Sequence, residues 1–265
     1  MSQPVPFGAV VVTAALLALG GAAIAAAHDG AAETALHDGD YQRAAQLGRA
    51  AGTARGSVTA ALAELAQGEF LVPGEDRLRV FADAEQDARH ALSLDAGEVD
   101  GHLALAVALG FIGRQEGYLT AHFEGRAHDA RQQIDIALAL EPRNPWANAL
   151  FGGWNLEIVS DGGAIGGEIY GATLADGTAA YTRALTLDPG NSQIAYQYAL
   201  ELLALGGEAQ RDAAKRLLAG IVTHSPADAL DALIRNRAIA MAGALDARDE
   251  EKLAGLLQDQ VGSRP

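Results

Sequence analysis

Three segments of this chain end in the same way. Ala91-Leu92-Ser93-Leu94-Asp95, Ala137-Leu138-Ala139-Leu140-Glu141-Pro142 and Ala184-Leu185-Thr186-Leu187-Asp188-Pro189 each close an amphipathic run, and a new helical run follows each. The small Ala lets a neighbouring helix approach, and the two leucines offer apolar area to a core. Pro stops the helix, because it has no N–H to donate and restricts the residue before it. A chain that repeats this ending is built of like units stacked side by side. The closing positions Ala96, Pro142, Pro189 and Pro226 are 46, 47 and 37 residues apart, so the units are unequal.

Counting from those closing positions gives a second regularity. Ten residues on stand Ala106, Gly152 and Ala199, each preceded by a large residue: Leu105, Phe151 and Tyr198. Twelve residues back stand Ala84, Ala130, Gly177 and Ala214. Upstream, Gly39-Asp40-Tyr41 with Ala44 three residues on reads as a turn between two helices, with Gly free to take the left-handed conformation that ends the first.

On these residues the chain resembles the tetratricopeptide repeat (TPR) family, in its exported bacterial type. That family closes its second helix in A-L-x-L-D-P, turns on G-D-Y-x-x-A and sets small residues where helices cross. The resemblance covers residues 31–226 and is clearest at 84–200. The spacing departs from the family's repeat of about 34 residues. Ala96 also replaces the Pro, and Ser225-Pro226 lacks the Leu-Asp pair. The resemblance implies an all-α fold, a right-handed α-α superhelix of antiparallel helix pairs. About five degenerate units would run over 31–56, 57–96, 97–142, 143–189 and 190–226, within a repeat region of 28–226. Capping helices in 227–265 would cover the apolar face of the last unit.

Composition agrees with this reading. Hydrophobic residues make up 49% of the 265, yet aromatics are only 5%, so small side chains supply the core and helices must pack closely. No run of β-branched residues alternates with period two, so no sheet is expected. The net charge of −15 excludes nucleic acid, which is bound by Lys and Arg neutralising phosphates. An acidic surface favours solubility and cationic partners. There is no cysteine, which excludes disulfides and Cys-ligated zinc.

Residues 9–27 form an uncharged stretch, with an apolar core over 10–19, a break at Gly20-Gly21 and Ala25-Ala26-Ala27 before polar His28. That is the order of a secretory signal peptide cleaved after Ala27, although no Lys or Arg precedes Ala9. The alternative is an uncleaved inner-membrane anchor. Either places residues 28–265 in the periplasm or outside the cell, with no membrane span after residue 27.

Two units carry extra length, over roughly 110–125 and 158–177, between their first and second helices. In a solenoid such inserted turns lie along one edge. They bring together Arg114, Tyr118, His122, Phe123, Trp154, Glu168 and Tyr170, an aromatic and charged set suited to a peptide or small ligand, or to packing the turns together. The resemblance places first-helix residues in a concave groove; here these are His102, Asn148, Asn155, Gln193 and Gln197, whose side chains can both donate and accept towards a peptide backbone. No residue is assigned to catalysis, to a cofactor or to a metal. The seven histidines form no H-E-x-x-H, the serines no G-x-S-x-G, and the glycines no phosphate loop. The leading expectation is a non-enzymatic scaffold for protein–protein interaction in the cell envelope. The alternative is a solute-binding component of an envelope transport system that uses the inserted edge.

Overall fold

The alanines of the repeated endings mark where the helices meet. Ala91, Ala137 and Ala184 are all completely buried. In a computed structural model that describes residues 28–116 and 124–261, the described residues contain helices and no strand. The helices are α1 (28–38), α2 (Tyr41–Ala51), α3 (Ala54–Phe70), α4 (Asp76–Leu94), α5 (Val99–Glu116) and α6 (Arg126–Leu140). They continue as α7 (Pro145–Tyr170), α8 (Leu174–Leu187), α9 (Ser192–Leu205), α10 (Glu208–Thr223), α11 (Ala229–Ala247) and α12 (Glu250–Val261). Consecutive helices pack against each other as pairs, and first helices also touch the first helices of neighbouring pairs: α3 with α5, α5 with α7, α7 with α9 and α9 with α11. This is a TPR-like all-α solenoid.

Local sequence sets the ends of the elements. Asp40, Thr53, Asn144, Thr173, Asn191 and Asp228 are N-caps whose side chains accept from the backbone N–H three residues on. Each such cap is worth about 1 kcal/mol. Gly39 stands at φ 82° between α1 and α2, and Tyr41 behind it is buried. Every small residue picked out by the offset count is buried: Ala84, Ala106, Ala130, Gly152, Gly177, Ala199 and Ala214.

Two details differ from the sequence reading. The second leucine of the repeated ending does not fill the core in two of the units: Leu94 is 49% and Leu140 is 46% exposed. Each is the last residue of its helix, where the chain turns away, whereas Leu92 and Leu138 pack against the core. The insertion over 158–177 is mostly helix rather than turn. Helix α7 runs on to Tyr170 and bends at Gly163, whose φ of 59° and ψ of −153° only glycine adopts without strain. Its extension packs beside the lengthened α5: Phe111, Ile112, Trp154, Ile158 and Ala172 share one core cluster.

The last helix pair does more than cover the unit before it. Leu230 and Leu233 of α11 pack on the alanine-rich cluster of the first three helices, which includes Ala35, Tyr41, Ala44 and Ala60. Arg237 of α11 donates to the Glu69 carboxylate at 2.7 Å and to the Glu69 carbonyl at 2.6 Å, and lies 4.0 Å above the Phe70 ring. The end of the solenoid thus folds back onto its beginning. Helix α12 turns inwards, and its far end reaches Tyr196 of α9 and Arg114 of α5.

A buried acid lies between the first two pairs. Arg49 of α2 bridges Glu64 of α3 and Asp87 of α4, with its Nη2 2.8 Å from Asp87 Oδ2. Burial and the neighbouring Asp87 charge push the Glu64 carboxyl up from 4.5 to about 8, against the opposing pull of Arg49. Between those two pH values the folded chain holds a proton that the unfolded chain has released. Stability therefore falls as pH rises through this window, and the contribution is lost above pH 8. Glu64→Gln keeps the shape of the protonated acid. It is expected to match the parent near pH 5 and to exceed it by about 1–3 kcal/mol at about pH 9 in urea unfolding. Lower stability of the variant at that alkaline pH would count against a protonated Glu64.

Candidate functional site

The first helices of five successive pairs each carry one charged side chain to the same interior. These are Glu69 on α3, Arg114 on α5, Glu157 on α7, Glu201 on α9 and Arg237 on α11. Arg114 Nε donates to Glu157 Oε1 at 2.8 Å, and its Nη1 donates to the Gln260 carbonyl of α12 at 3.4 Å. The Gln260 side-chain oxygen accepts from the Tyr196 hydroxyl. Burial opposes the charge on Arg114, but Glu157, Glu69 and Glu201 outweigh it and hold the guanidinium pKa above its ordinary value. Burial also raises the Tyr181 and Tyr196 hydroxyls, so both stay neutral.

The residues expected in an open groove have structural work instead. His102, Asn148 and Asn155 are 6%, 3% and 1% exposed. His102 and Asn148 both stand six residues after a closing position and reach back to its carbonyl. His102 Nε2 lies 3.1 Å from the Ala96 oxygen, and Asn148 Nδ2 donates to the Pro142 oxygen at 3.2 Å. The other ring nitrogen of His102 lies 2.7 Å from the Gln133 side-chain amide. Asn155 donates to the Phe151 carbonyl at 2.8 Å and accepts from the Thr173 backbone N–H at 3.0 Å, tying α7 to the start of α8. These side chains satisfy turn and helix-end groups that burial would otherwise leave without partners. Only Gln193 and Gln197 keep partly exposed positions.

The inserted edge is divided. Arg114 belongs to the inner hub of charged side chains. Trp154 is buried, donates its indole N–H to the Ala127 carbonyl at 2.8 Å and meets Tyr170 edge-to-face, with centroids 6.0 Å apart. Arg131 lies over both Phe151 and Trp154, at 4.5 and 4.7 Å. Glu168 is exposed on the extension of α7. Tyr118, His122 and Phe123 lie outside the described residues. The described aromatics thus tie α7 to its own extension and to α6.

Glu64, Glu69, Asp87, Glu157, Glu201, Arg237 and Gln260 were not anticipated from the sequence. A signal existed for three of them. Glu64, Glu157 and Glu201 are each the sole charge in a long apolar run: Val58–Gly68, Pro145–Ser160 and Ser192–Leu205. A lone charge on an otherwise uncharged helix of a stack points to a partner inside the fold. Among the described residues, no group of three or more His, Asp or Glu is placed to hold a metal ion, and no helix is long and apolar enough to cross a membrane.

No protein-family model matches this sequence, and no curated protein matches it. A solved structure does match: the crystal structure of TTC0263, a thermophilic TPR protein in Thermus thermophilus. The alignment covers 75% of this chain and 90% of that one, with a TM-score of 0.52 and 17% identity. The chain is therefore a TPR-like helical-repeat protein in its fold.

Proposed function

We propose that this protein is an exported, non-enzymatic TPR-like scaffold that binds a protein or peptide partner in the bacterial cell envelope. The observation that best supports this is how its polar interior is used. The buried His and Asn and the partly buried Arg side chains of the first helices tie turns and neighbouring helices together, and so serve the stack rather than a reaction. Folds of this TPR-like kind generally mediate protein–protein interaction. Location in the envelope rests on the N-terminal sequence, which lies outside the described residues. N-terminal sequencing of the mature protein from a periplasmic fraction should begin at His28. A chain retained in the cytoplasm with residues 1–27 intact would refute export. In-cell crosslinking followed by affinity capture should recover a specific envelope partner. Recovery of none, under conditions that preserve weak complexes, would argue against the scaffold.

A small-ligand role at the inserted edge is the alternative, and Trp154 and Tyr170 are already packed against each other there. A thermal-shift screen with metabolites separates the two readings, since only the ligand-binding reading predicts a saturable rise in melting temperature.

A further inference from the structure

We infer that α12 is a displaceable occupant of the inner face, holding the place of a basic amphipathic helix supplied by a protein partner. This rests on the scaffold reading above and specifies both its site and its partner.

The first support is the form of α12. Leu253, Leu256, Leu257 and Gln260 follow the spacing i, i+3, i+4, i+7, the pattern of a helix that lays one face into a groove. Leu253 and Gln260 are buried, at 5% and 7% exposed, while Glu251, Lys252, Ala254, Gly255 and Gln258 face solvent. The second is its position. A second helix belongs behind its own first helix, yet the end of α12 sits between Tyr196 and Arg114, on the first helices of two other pairs.

The third support is how loosely α12 is held. It has 12 residues, with Gly255 near its centre, a poor residue for a helix interior. The chain enters it through Arg248 at φ 55°, the one non-glycine with positive φ among the described residues. Its only ion pair to the rest of the fold among the described residues joins Glu250 to the partly exposed Arg211. The fourth is charge. Helix α12 carries Glu250, Glu251 and Asp259 against Lys252, on a protein of net charge −15. A helix with the same apolar spacing and basic flanks would be drawn to this body where α12 is repelled.

The test uses the full chain and a Gly255→Pro variant. A Cβ at Gly255 meets nothing within 4 Å, so proline there breaks α12 without disturbing a neighbour. The probe is a fluorescent synthetic peptide of residues 249–261 carrying Glu250→Lys, Glu251→Lys and Asp259→Lys, compared with the unaltered peptide. Amides of α12 in the parent chain are expected to exchange with deuterium at least tenfold faster than those of α11. The basic peptide is expected to bind Gly255→Pro at least tenfold more tightly than the parent, and more tightly than the unaltered peptide does. Exchange of α12 only with global unfolding would overturn the inference, as would equal affinity of the basic peptide for the two chains or no binding to either. Should Gly255→Pro not fold, Gln260→Ala removes the side-chain bond to Tyr196 and gives the same comparison. Failure of both to fold makes α12 part of the core and refutes the idea. Independent opening of α12 without peptide binding sinks this inference alone, and the scaffold reading then stands or falls on partner capture.

Discussion

Gly48→Ala is expected to lower the free energy of unfolding by about 3 kcal/mol, the scale of an overpacked helix contact. Helices α2 and α3 cross with two glycines face to face. A Cβ on Gly48 would stand 2.3 Å from the Gly56 carbonyl oxygen and 3.1 Å from the Ala60 nitrogen. A Cβ on Gly56 would in turn stand 2.5 Å from the Gly48 oxygen. The obstructing atoms are backbone, so no rotamer change relieves the contact. The helices must separate, and the methyl contacts of Ala44, Ala45 and Ala60 are lost with them. Gly110→Ala is the control. It lies within α5 with no atom of the described residues within 4 Å of its Cβ, so the same substitution should leave stability unchanged or raise it by up to about 1 kcal/mol. Denaturant titration of both variants measures the difference. A loss under about 1 kcal/mol for Gly48→Ala would show that the crossing has slack.

Arg114→Met is expected to cost about 2–3 kcal/mol, because it leaves the partly buried Glu157 carboxylate without its guanidinium, near Glu69 and Glu201. The aliphatic part of the Arg side chain is replaced by Met of similar length, so most of the loss is electrostatic. Arg114→Met/Glu157→Gln should recover a large part of it, since the second change removes the stranded charge. Unfolding free energies of the four chains give a coupling of at least about 1.5 kcal/mol if the pair acts as described. Additive losses would place the role of Arg114 in packing alone.

The crossing between α7 and α8 was legible in the sequence, and the one between α2 and α3 was not. Gly152 and Gly177 stand at fixed offsets from closing prolines, and each Cβ would lie 3.0 Å from the other's carbonyl oxygen. Gly48 and Gly56 have no closing proline after them, so no count reaches them. The inner hub was hidden for a different reason. Its members are far apart in the chain, as Glu69 and Arg237 are, and only the curvature of the stack brings them together. Arg114 lies in a glycine-containing segment, where the pattern does not tell an inserted turn from a lengthened helix. His102, Asn148 and Asn155 lie on first helices, but helix periodicity does not tell a groove from the turn beside it. Polar side chains at a fixed distance after each closing residue are as well suited to a nearby carbonyl as to a ligand.

The return of α11 onto α1, α2 and α3 has a consequence for how the whole chain comes apart. An open stack of repeats unfolds as a row, each unit held only by its neighbours, so it frays from the ends. Here α11 meets the first three helices, so α12 alone can come away by itself. Loss of a terminal unit now unseats two interfaces rather than one, so the body from α1 to α11 should melt as a single concerted event. The same meeting fixes the number of units, because inserting or deleting one would part Arg237 from Glu69 and Leu230 from the alanines it covers.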